Sequence, residues 1–244
     1  MRICVISDVH FKYIHDKPHD RENNAIALRF LSECVGKYDL MVLNGDIFDL
    51  WFDWKYTIIA QYFPILHRLA NIRDAGCKLV LISGNHDFWF NSFLSTHLGM
   101  RIEDRQYKLQ TDGKTMVFAH GDLYTENDTR YKIFRALVRI PVVKSLFSLL
   151  HPDLALSIGA MLSRSSRVRN VCSQVKTRMD SGLRKWAERQ INSGCADIVV
   201  LGHNHEPCRE DISGGVYANC GDWVKNHSYV EIDAGNVTLN MYDK

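Results

Sequence analysis

Five short apolar runs, each rich in β-branched residues, constrain the fold of this chain more than any other feature of its sequence. The runs are "RICVIS", "LMVLN", "KLVLIS", "TMVFAH" and "DIVVLG", which begin at residues 2, 40, 78, 115 and 197. Short runs of this composition predict buried strands. Stretches with helical spacing, at 24–35 and 57–75, separate the first three runs. The alternation predicts an α/β fold with a largely buried central sheet.

Four further strand-like segments follow in the C-terminal part of the chain. They read "EPCREDI", "GVYANCG", "SYVEID" and "NVTLNMYD", with turn-forming residues at 213–215 and 234–236. Turns of this kind join neighbouring antiparallel strands. We therefore expect two packed sheets flanked by helices.

Each of the five apolar runs ends in a polar cluster: "SDVH", "NGDIFD", "SGNHD", "AHGD" or "GHNH". Open α/β sheets bind ligands beyond the carboxyl ends of their strands, so these clusters are expected to meet in one crevice. The candidate metal ligands in them are Asp8, His10, Asp46, Asn85, His120, His203 and His205. Carboxylate, amide and imidazole groups without a thiolate suit manganese, iron or zinc in a catalytic centre, and not a structural zinc site.

The segment from 122 to about 186 contains no strand-like run. It has helical spacing interrupted by Pro141 and Pro152, and basic residues alternate in it with apolar ones. Proline ends or kinks a helix, so the pattern predicts several short helices. We expect a helical insertion within a single domain that spans residues 1–244.

Composition excludes several classes of protein. Thirty Lys and Arg against 28 Asp and Glu give a formal net charge of +2, which by itself does not indicate a nucleic-acid partner. Seven cysteines without a CxxC pair predict reduced thiols, not a disulfide framework. No apolar run approaches the roughly 18 residues that span a bilayer, and the N-terminus lacks a signal-peptide pattern. We expect a soluble cytoplasmic protein.

The ordered set "DVH", "GDIFD", "GNHD", "HGD" and "GHNH", from Asp8 to His205, resembles the signature of the calcineurin-like metallophosphoesterases. The resemblance implies a four-layer αββα sandwich with a helical cap and two divalent cations, manganese first, with iron and zinc as alternatives. One ion would be held by Asp8, His10, Asp46 and His205, and the other by Asp46, Asn85, His120 and His203. Asp46 is the shared ligand in this set, and two such ions lie about 3.5–4 Å apart.

His86 and Asp49 are the predicted catalytic pair. His86 follows a ligand in "GNHD", and Asp49, in "GDIFD", is placed to orient it, so that the pair would stabilise or protonate the leaving side. The alternative for Asp49 is a carboxylate that caps a turn or helix. Asp87 has no predicted chemical role and is expected to brace its loop.

The insertion narrows the resemblance further. "HGDLYTENDTRYKIFRALV" and "SRSSRVRN" resemble the cap of the UDP-2,3-diacylglucosamine diphosphatases of lipid A biosynthesis in Gram-negative bacteria. This implies cleavage of the pyrophosphate of UDP-2,3-diacylglucosamine to 2,3-diacylglucosamine 1-phosphate and UMP, at the cytoplasmic face of the inner membrane. The implied substrate contacts are Asn85, Asp128, Tyr131, Arg164, Ser166 and Arg167. In many of these enzymes arginine follows the metal-ligand asparagine, whereas this chain has His86.

The residues themselves favour such a substrate, because acyl chains and a pyrophosphate require an apolar channel with cations at its rim. A set of aromatic residues after the ligand loops would form its floor or pack between loops and sheet: Trp51, Phe52, Trp54, Phe88, Trp89 and Phe90.

The same sequence pattern is compatible with other functions. The same metal site would serve an enzyme for another nucleotide-linked lipid, a nuclease, a protein phosphatase or a cyclic nucleotide phosphodiesterase. Basic residues interleaved with apolar ones suit a lipid interface better than duplex DNA, so no nucleic-acid partner is expected. A metal-free interaction scaffold would not require a complete ligand set. The oligomeric state is open.

Overall fold

The computed structural model describes residues 1–126, 129–159 and 173–242, in which eleven strands form two sheets. The strands are β1 (Arg2–Ile6), β2 (Leu40–Leu43), β3 (Lys78–Ile82), β4 (Arg101–Glu103), β5 (Gln106–Thr111), β6 (Lys114–Ala119), β7 (Ile198–Leu201), β8 (Cys208–Ile212), β9 (Gly215–Asn219), β10 (Ser228–Asp233) and β11 (Asn236–Met241). The first sheet has the order β11-β10-β1-β2-β3-β4, and the second has the order β5-β6-β7-β9-β8.

Parallel pairing at the centre of each sheet decides where the site lies. Strands β1, β2, β3 and β4 are parallel to one another, and β6, β7 and β9 are parallel in the second sheet. The outer strands β5, β8, β10 and β11 pair antiparallel. The five predicted apolar runs are therefore all central strands, and their carboxyl ends carry the polar clusters.

Seven helices lie within the described residues. They are α1 (Pro18–Glu33), α2 (Phe63–Asp74), α3 (Phe93–Leu98), α4 (Thr129–Val138), α5 (Pro141–Ser148), α6 (152–159) and α7 (Ser173–Asn192). A single turn of 3-10 helix, Ala60–Tyr62, precedes α2. None of these helices, within the described ranges, is long and apolar enough to cross a membrane.

Three clusters of buried side chains make the molecule a four-layer α/β/β/α sandwich. Val5, Val42, Phe118 and Val200 belong to the cluster between the two sheets. A second cluster joins α1 and α2 to the first sheet, and a third joins α7 to the second sheet. The predicted pair of sheets flanked by helices is confirmed.

Some elements were not predicted from the sequence. β4 has only three residues, and β5 reads "QYKLQT", whose side chains alternate between exposed and half-buried at the edge of the second sheet. Such an edge strand lacks the apolar run that marks a central one. α1 begins at Pro18, six residues before the predicted start, with proline at its first position, which suits the first turn of a helix.

The described part of the segment 122–186 contains four helices, and the last of them, α7, runs through the predicted end to Asn192. Leu183, Ala187 and Ile191 of this helix pack on the second sheet. Near its middle, Trp186 stacks on Tyr124, with ring centroids 3.8 Å apart. The C-terminal half of α7 is therefore part of the core. The boundary of the insertion at about 186 stays a prediction.

We predict that Leu183→Ala lowers the free energy of unfolding by about 2–5 kcal/mol, because it leaves a cavity between α7 and the second sheet. Leu149→Ala is the matched control: Leu149 is 81% exposed, and its truncation is expected to cost less than about 0.5 kcal/mol. Urea denaturation measures both. Equal effects would show that α7 is not packed as described.

Candidate active site

Five of the seven predicted ligands hold a backbone conformation that non-glycine residues rarely adopt. The five positive φ angles are Asp8 53°, His10 46°, Asp46 53°, His203 74° and His205 62°. Each residue lies just after a central strand. Strain of this kind persists only where the surrounding structure enforces it, and it gathers at functional sites.

Asp8 defines one half of the cluster. Its Oδ2 accepts hydrogen bonds from Ser7 Oγ at 2.5 Å and from the main-chain N–H of His203 at 2.8 Å. Its Oδ1 is buried and has no hydrogen-bond partner within the described chain. That oxygen lies 3.4 Å from His205 Nε2 and 3.9 Å from His10 Nε2. A buried carboxylate oxygen without a donor is costly, and a cation held with the two imidazoles would remove the cost.

Asp46 lies at the centre of the cluster. Its Oδ2 is 3.8 Å from His10 Nε2 and 3.5 Å from His120 Nε2. Its Oδ1 accepts a hydrogen bond of 2.8 Å from the main-chain N–H of His86. Asp46 is thus placed between the two predicted metal positions, as a shared ligand must be.

The remaining predicted ligands join the same cluster through His120. Asn85 Oδ1 lies 3.1 Å from His120 Nε2, and the ring of His203 lies 5.1 Å from the ring of His120. Ligand atoms of Asp8, Asp46 and His120 all fall within 4.8 Å of one another, as do those of Asp8, His10 and His205. The structure therefore brings all seven side chains together, in a donor set of oxygen and imidazole nitrogen that fits two divalent cations.

Two glycines allow the ligand loops to approach each other. A Cβ atom at Gly84 would lie 2.1 Å from Asp46 Oδ1, and one at Gly202 would lie 2.0 Å from Ser7 Oγ. Any side chain there would displace a carboxylate of the centre. This explains the glycine that begins both "GNHD" and "GHNH".

Residues behind the ligands fix which nitrogen of each imidazole faces the centre. His205 Nδ1 donates to Asp222 Oδ2 at 3.0 Å, and His120 Nδ1 donates to the main-chain oxygen of Asn44 at 3.1 Å. In both rings Nε2 is then the atom that can bind a metal. The sequence reasoning missed Asp222, whose signal is a carboxylate in "NCGD", directly after the central strand β9.

The charges of the cluster are strongly coupled. Burial disfavours a charged His120, but Asp46 and Asp8 outweigh it and raise the pKa of His120 to about 10. Burial and the nearby His120 lower the pKa of His203 to about 3. Burial also opposes ionisation of Asp46, yet His120 and His86 hold its pKa well below the usual value. Without a metal, His120 therefore carries the proton that stabilises Asp46.

We predict that metal binding releases at least one proton per chain at neutral pH. A metal ligand must be neutral imidazole, and the pKa of His120 near 10 leaves it protonated in the metal-free protein. Affinity for Mn²⁺ should rise by up to about tenfold per pH unit from pH 6.5 to 8.5. Calorimetric titration in buffers of different ionisation enthalpy measures the protons. His67→Ala, which removes an exposed imidazole, should not change the count, and a pH-independent affinity would contradict the assignment.

Asp87, expected to brace its loop, accepts four main-chain hydrogen bonds. Oδ1 accepts from Asp46 at 2.9 Å and from Gly84 at 3.0 Å. Oδ2 accepts from Ile47 at 2.7 Å and from Phe48 at 3.1 Å. The side chain is fully buried. Asp87 therefore locks the loop after β2 to the loop after β3 and fixes the main chain of Asp46.

We predict that Asp87→Asn lowers the free energy of unfolding of the metal-free protein by about 2–4 kcal/mol, because the amide sets a donor against N–H groups that need an acceptor. Burial and the Asp46 carboxylate raise the pKa of Asp87 to about 7, so the comparison is made at pH 8. Asp74→Asn, at an exposed ion pair, should change stability by less than about 1 kcal/mol. Equal, small effects would contradict the bracing role.

His86 and Asp49 lie together, as predicted, and one hydrogen bond between them uses the main chain of Asp49. His86 Nδ1 donates to the main-chain oxygen of Asp49 at 3.2 Å. The Asp49 carboxylate accepts a hydrogen bond of 2.5 Å from Lys12 Nζ, and both of these side chains are buried. Lys12 was not predicted from the sequence, and its only signal is a cation two residues after His10 in "DVHFK".

The predicted substrate contacts are only partly described. Asp128, Arg164, Ser166 and Arg167 lie outside the described residues. Tyr131 lies beside the metal cluster, with its ring 6.5 Å from that of His203. Its hydroxyl donates to Asp122 Oδ2 at 2.7 Å, and Arg135 Nε donates to the same oxygen at 2.7 Å. The aspartate of "HGD" therefore anchors α4 next to the ligands, which the sequence did not indicate.

The corner between α4 and α5 is attached to the loop that carries Asn85 and His86. Arg139 donates to the main-chain oxygen of Gly84 at 3.0 Å, and Lys144 donates to that of Phe90 at 3.1 Å. Trp89 Nε1 donates to the main-chain oxygen of Val138 at 3.0 Å. These three bonds hold the helical segment against the metal-ligand loop.

Packing accounts for most of the aromatic rings that follow the ligand loops. Trp51 and Phe52 are almost completely buried. The ring of Phe147, on α5, lies 5.0 Å from Phe52 and 4.7 Å from Trp89. These rings join the helical segment to the loops, so an open apolar floor at these positions is not what the structure shows.

A model of the calcineurin-like phosphoesterase family matches residues 1–227. The chain therefore belongs to this family, and it is a metal-dependent hydrolase. The predicted family is confirmed, whereas the identity of the metal stays a prediction.

Two relatives and one solved structure illustrate this membership. A protein of Stenotrophomonas maltophilia strain K279a, named UDP-2,3-diacylglucosamine hydrolase, is 26% identical over 255 residues, which cover 98% of each chain. A protein of the same name from Xanthomonas oryzae pv. oryzae strain PXO99A is 28% identical over 259 residues, which cover 99% of each. A solved archaeal phosphodiesterase has a TM-score of 0.50 and 14% identity, and the match covers 99% of this chain and 100% of the other. The last likeness concerns the fold alone.

Proposed function

We propose that this chain hydrolyses the pyrophosphate of UDP-2,3-diacylglucosamine, yielding 2,3-diacylglucosamine 1-phosphate and UMP in lipid A biosynthesis. The observation that carries the proposal is a set of exposed apolar side chains on helices attached directly to the metal-ligand loop. Relatives named for this substrate, matched over nearly their whole length, support it.

The seven clustered side chains would hold two divalent cations, manganese first, with iron or zinc as alternatives. When bound, such ions neutralise phosphoryl charge and activate the attacking water. Asp46 would serve both ions, as its central position requires. Asp87, Asp222 and Asn44 would keep the ligands oriented through the hydrogen bonds described above.

His86 would act on the leaving side. Because its Nδ1 is engaged by the main-chain oxygen of Asp49, Nε2 is the ring atom left to donate a hydrogen bond or a proton. Lys12 places a cation next to the same pair and holds the Asp49 carboxylate. A histidine at this position also fits another nucleotide-linked lipid, and a direct comparison of kcat/KM for the two lipids would separate these substrates.

The helical segment would receive the acylated sugar. Ile133, Phe134, Leu137, Val142, Leu146 and Leu149 each expose more than half of their surface. Arg139 and Lys144 lie among them, and their bonds to Gly84 and Phe90 bring this apolar face to the metal loop. Asp128, Tyr131, Arg164, Ser166 and Arg167 are the proposed contacts to the sugar phosphate. Such a face would also place the enzyme at the inner membrane, on its cytoplasmic side.

We predict a strong preference for acylated substrate. Burying acyl methylenes contributes roughly 0.8 kcal/mol each, so kcat/KM should rise with chain length. The test compares kcat/KM for long-chain UDP-diacylglucosamine with kcat/KM for UDP-glucosamine. In a triple variant with Leu137→Ser, Leu146→Ser and Leu149→Ser, the ratio of these two values should fall at least tenfold. Phe63→Ser, at an equally exposed residue on α2, should leave the ratio unchanged.

Two results would contradict the proposal. Wild-type enzyme that cleaves UDP-glucosamine as well as the acylated compound would overturn the lipid assignment. Activity that persists in Asp46→Ala, or in protein shown by elemental analysis to be metal-free, would overturn the metal mechanism.

A further inference from the structure

A cleft with a mixed polar and apolar lining adjoins the metal cluster. Its volume is about 590 Å³, within the roughly 300–1,000 Å³ typical of small-molecule sites. His10, Asn85, His203 and His205 of the metal cluster line it, together with Asp222. The rest of its lining includes Val224 and residues of the loop after β1 and the start of α1, between 12 and 24.

This cleft is separate from the apolar face of the helical segment. Among the described residues of α4, α5 and α6, none lines it. Tyr13 on its wall donates through its hydroxyl to the main-chain oxygen of Leu156 at 2.9 Å, so α6 supports the wall from behind. The apolar face of the helical segment and this cleft are therefore two separate surfaces beside the metal cluster.

The walls of the cleft are fixed by their own hydrogen bonds. Asn24 accepts from the main-chain N–H of Lys12 at 3.0 Å and donates to the main-chain oxygen of the same residue at 2.9 Å. Asn23 donates to the main-chain oxygen of Val224 at 3.1 Å, which ties α1 to the opposite wall. A ligand would meet a preformed site, which reduces the ordering cost of binding.

The side chains in the cleft suit a nucleoside. Asp16 and Lys17 are exposed and provide charged groups for ribose hydroxyls and the polar edge of a base. Ile14 and Val224, on the two bordering segments, are 39% and 40% exposed and offer apolar surface for the face of a ring. The cleft therefore combines charged groups with apolar surface, as the two parts of a nucleoside require.

We propose that this cleft is the subsite for the nucleoside monophosphate half of the substrate, with its phosphate at the metal cluster and its base between Ile14 and Val224. The proposal rests on the proposed function, since a nucleotide-linked pyrophosphate has a second half that must lie away from the acyl chains. It assigns nucleotide specificity to residues 12–24 and 224, outside the helical segment.

The test is calorimetric binding of UMP, ribose 5-phosphate and inorganic phosphate to manganese-loaded protein. Wild type should bind UMP at least tenfold more tightly than ribose 5-phosphate. Val224→Asp and Ile14→Ser should each lower that preference at least fivefold. Val35→Asp is the matched control, because Val35 is 41% exposed at the far end of α1 and its preference should stay at the wild-type value. Melting temperatures verify that each variant is folded.

Equal affinities for UMP and ribose 5-phosphate, or equal losses in the Val224 and Val35 variants, would overturn the subsite. Cleavage of UDP-diacylglucosamine by protein without the UMP preference would leave the proposed function standing and remove the subsite. A UMP preference that the Val224 and Ile14 variants lose, in protein that does not cleave the lipid, would remove the lipid substrate and support the subsite.

Discussion

Two buried carboxylates, Asp8 and Asp46, impose the constraint on which the rest of this structure depends. They lie at the carboxyl ends of adjacent parallel strands, β1 and β2, and both side chains are almost completely buried. Ionised groups in such a place are costly unless cations or hydrogen bonds compensate them. Three imidazoles within 4 Å supply part of the compensation, and Asp8 Oδ1 still lacks a donor in the described chain. The ligand loops hold a strained backbone at five residues of this cluster, which the surrounding contacts enforce.

The loop with Asn85 and His86 is held from two directions. Asp87 fixes it to the loop after β2 through three main-chain N–H groups. Arg139, Val138 and Lys144 attach it to the corner of α4 and α5. Asp122 anchors α4 to the same region through Tyr131 and Arg135. A shift of the helical segment would therefore move the loop that carries Asn85 and His86. The surface proposed to receive the acyl chains is therefore hydrogen-bonded directly to a loop that carries metal ligands.

The sequence predicted the central strands and the membership of the metal cluster, because a buried parallel strand is a continuous apolar run and its end is marked by a polar motif. It did not predict β5, which is an edge strand with a polar face, or the full length of α7, whose apolar positions on the second sheet look like any amphipathic helix. The partners of His120 and His205 behind the centre were missed, since a main-chain oxygen of Asn44 has no sequence signal and Asp222 belongs to no motif. That Asp49 orients His86 stays a prediction, and the hydrogen bond from Lys12 to the Asp49 carboxylate belongs to no sequence motif.

Metal stoichiometry in wild type and in Asp46→Ala tests the account most directly, because the Asp46 carboxylate is the ligand that the two ions would share. Elemental analysis after dialysis against Mn²⁺ should find two ions per wild-type chain and fewer than two in the variant, with both proteins folded by circular dichroism. A wild-type chain that retains no metal, or a variant that retains two ions, would contradict it.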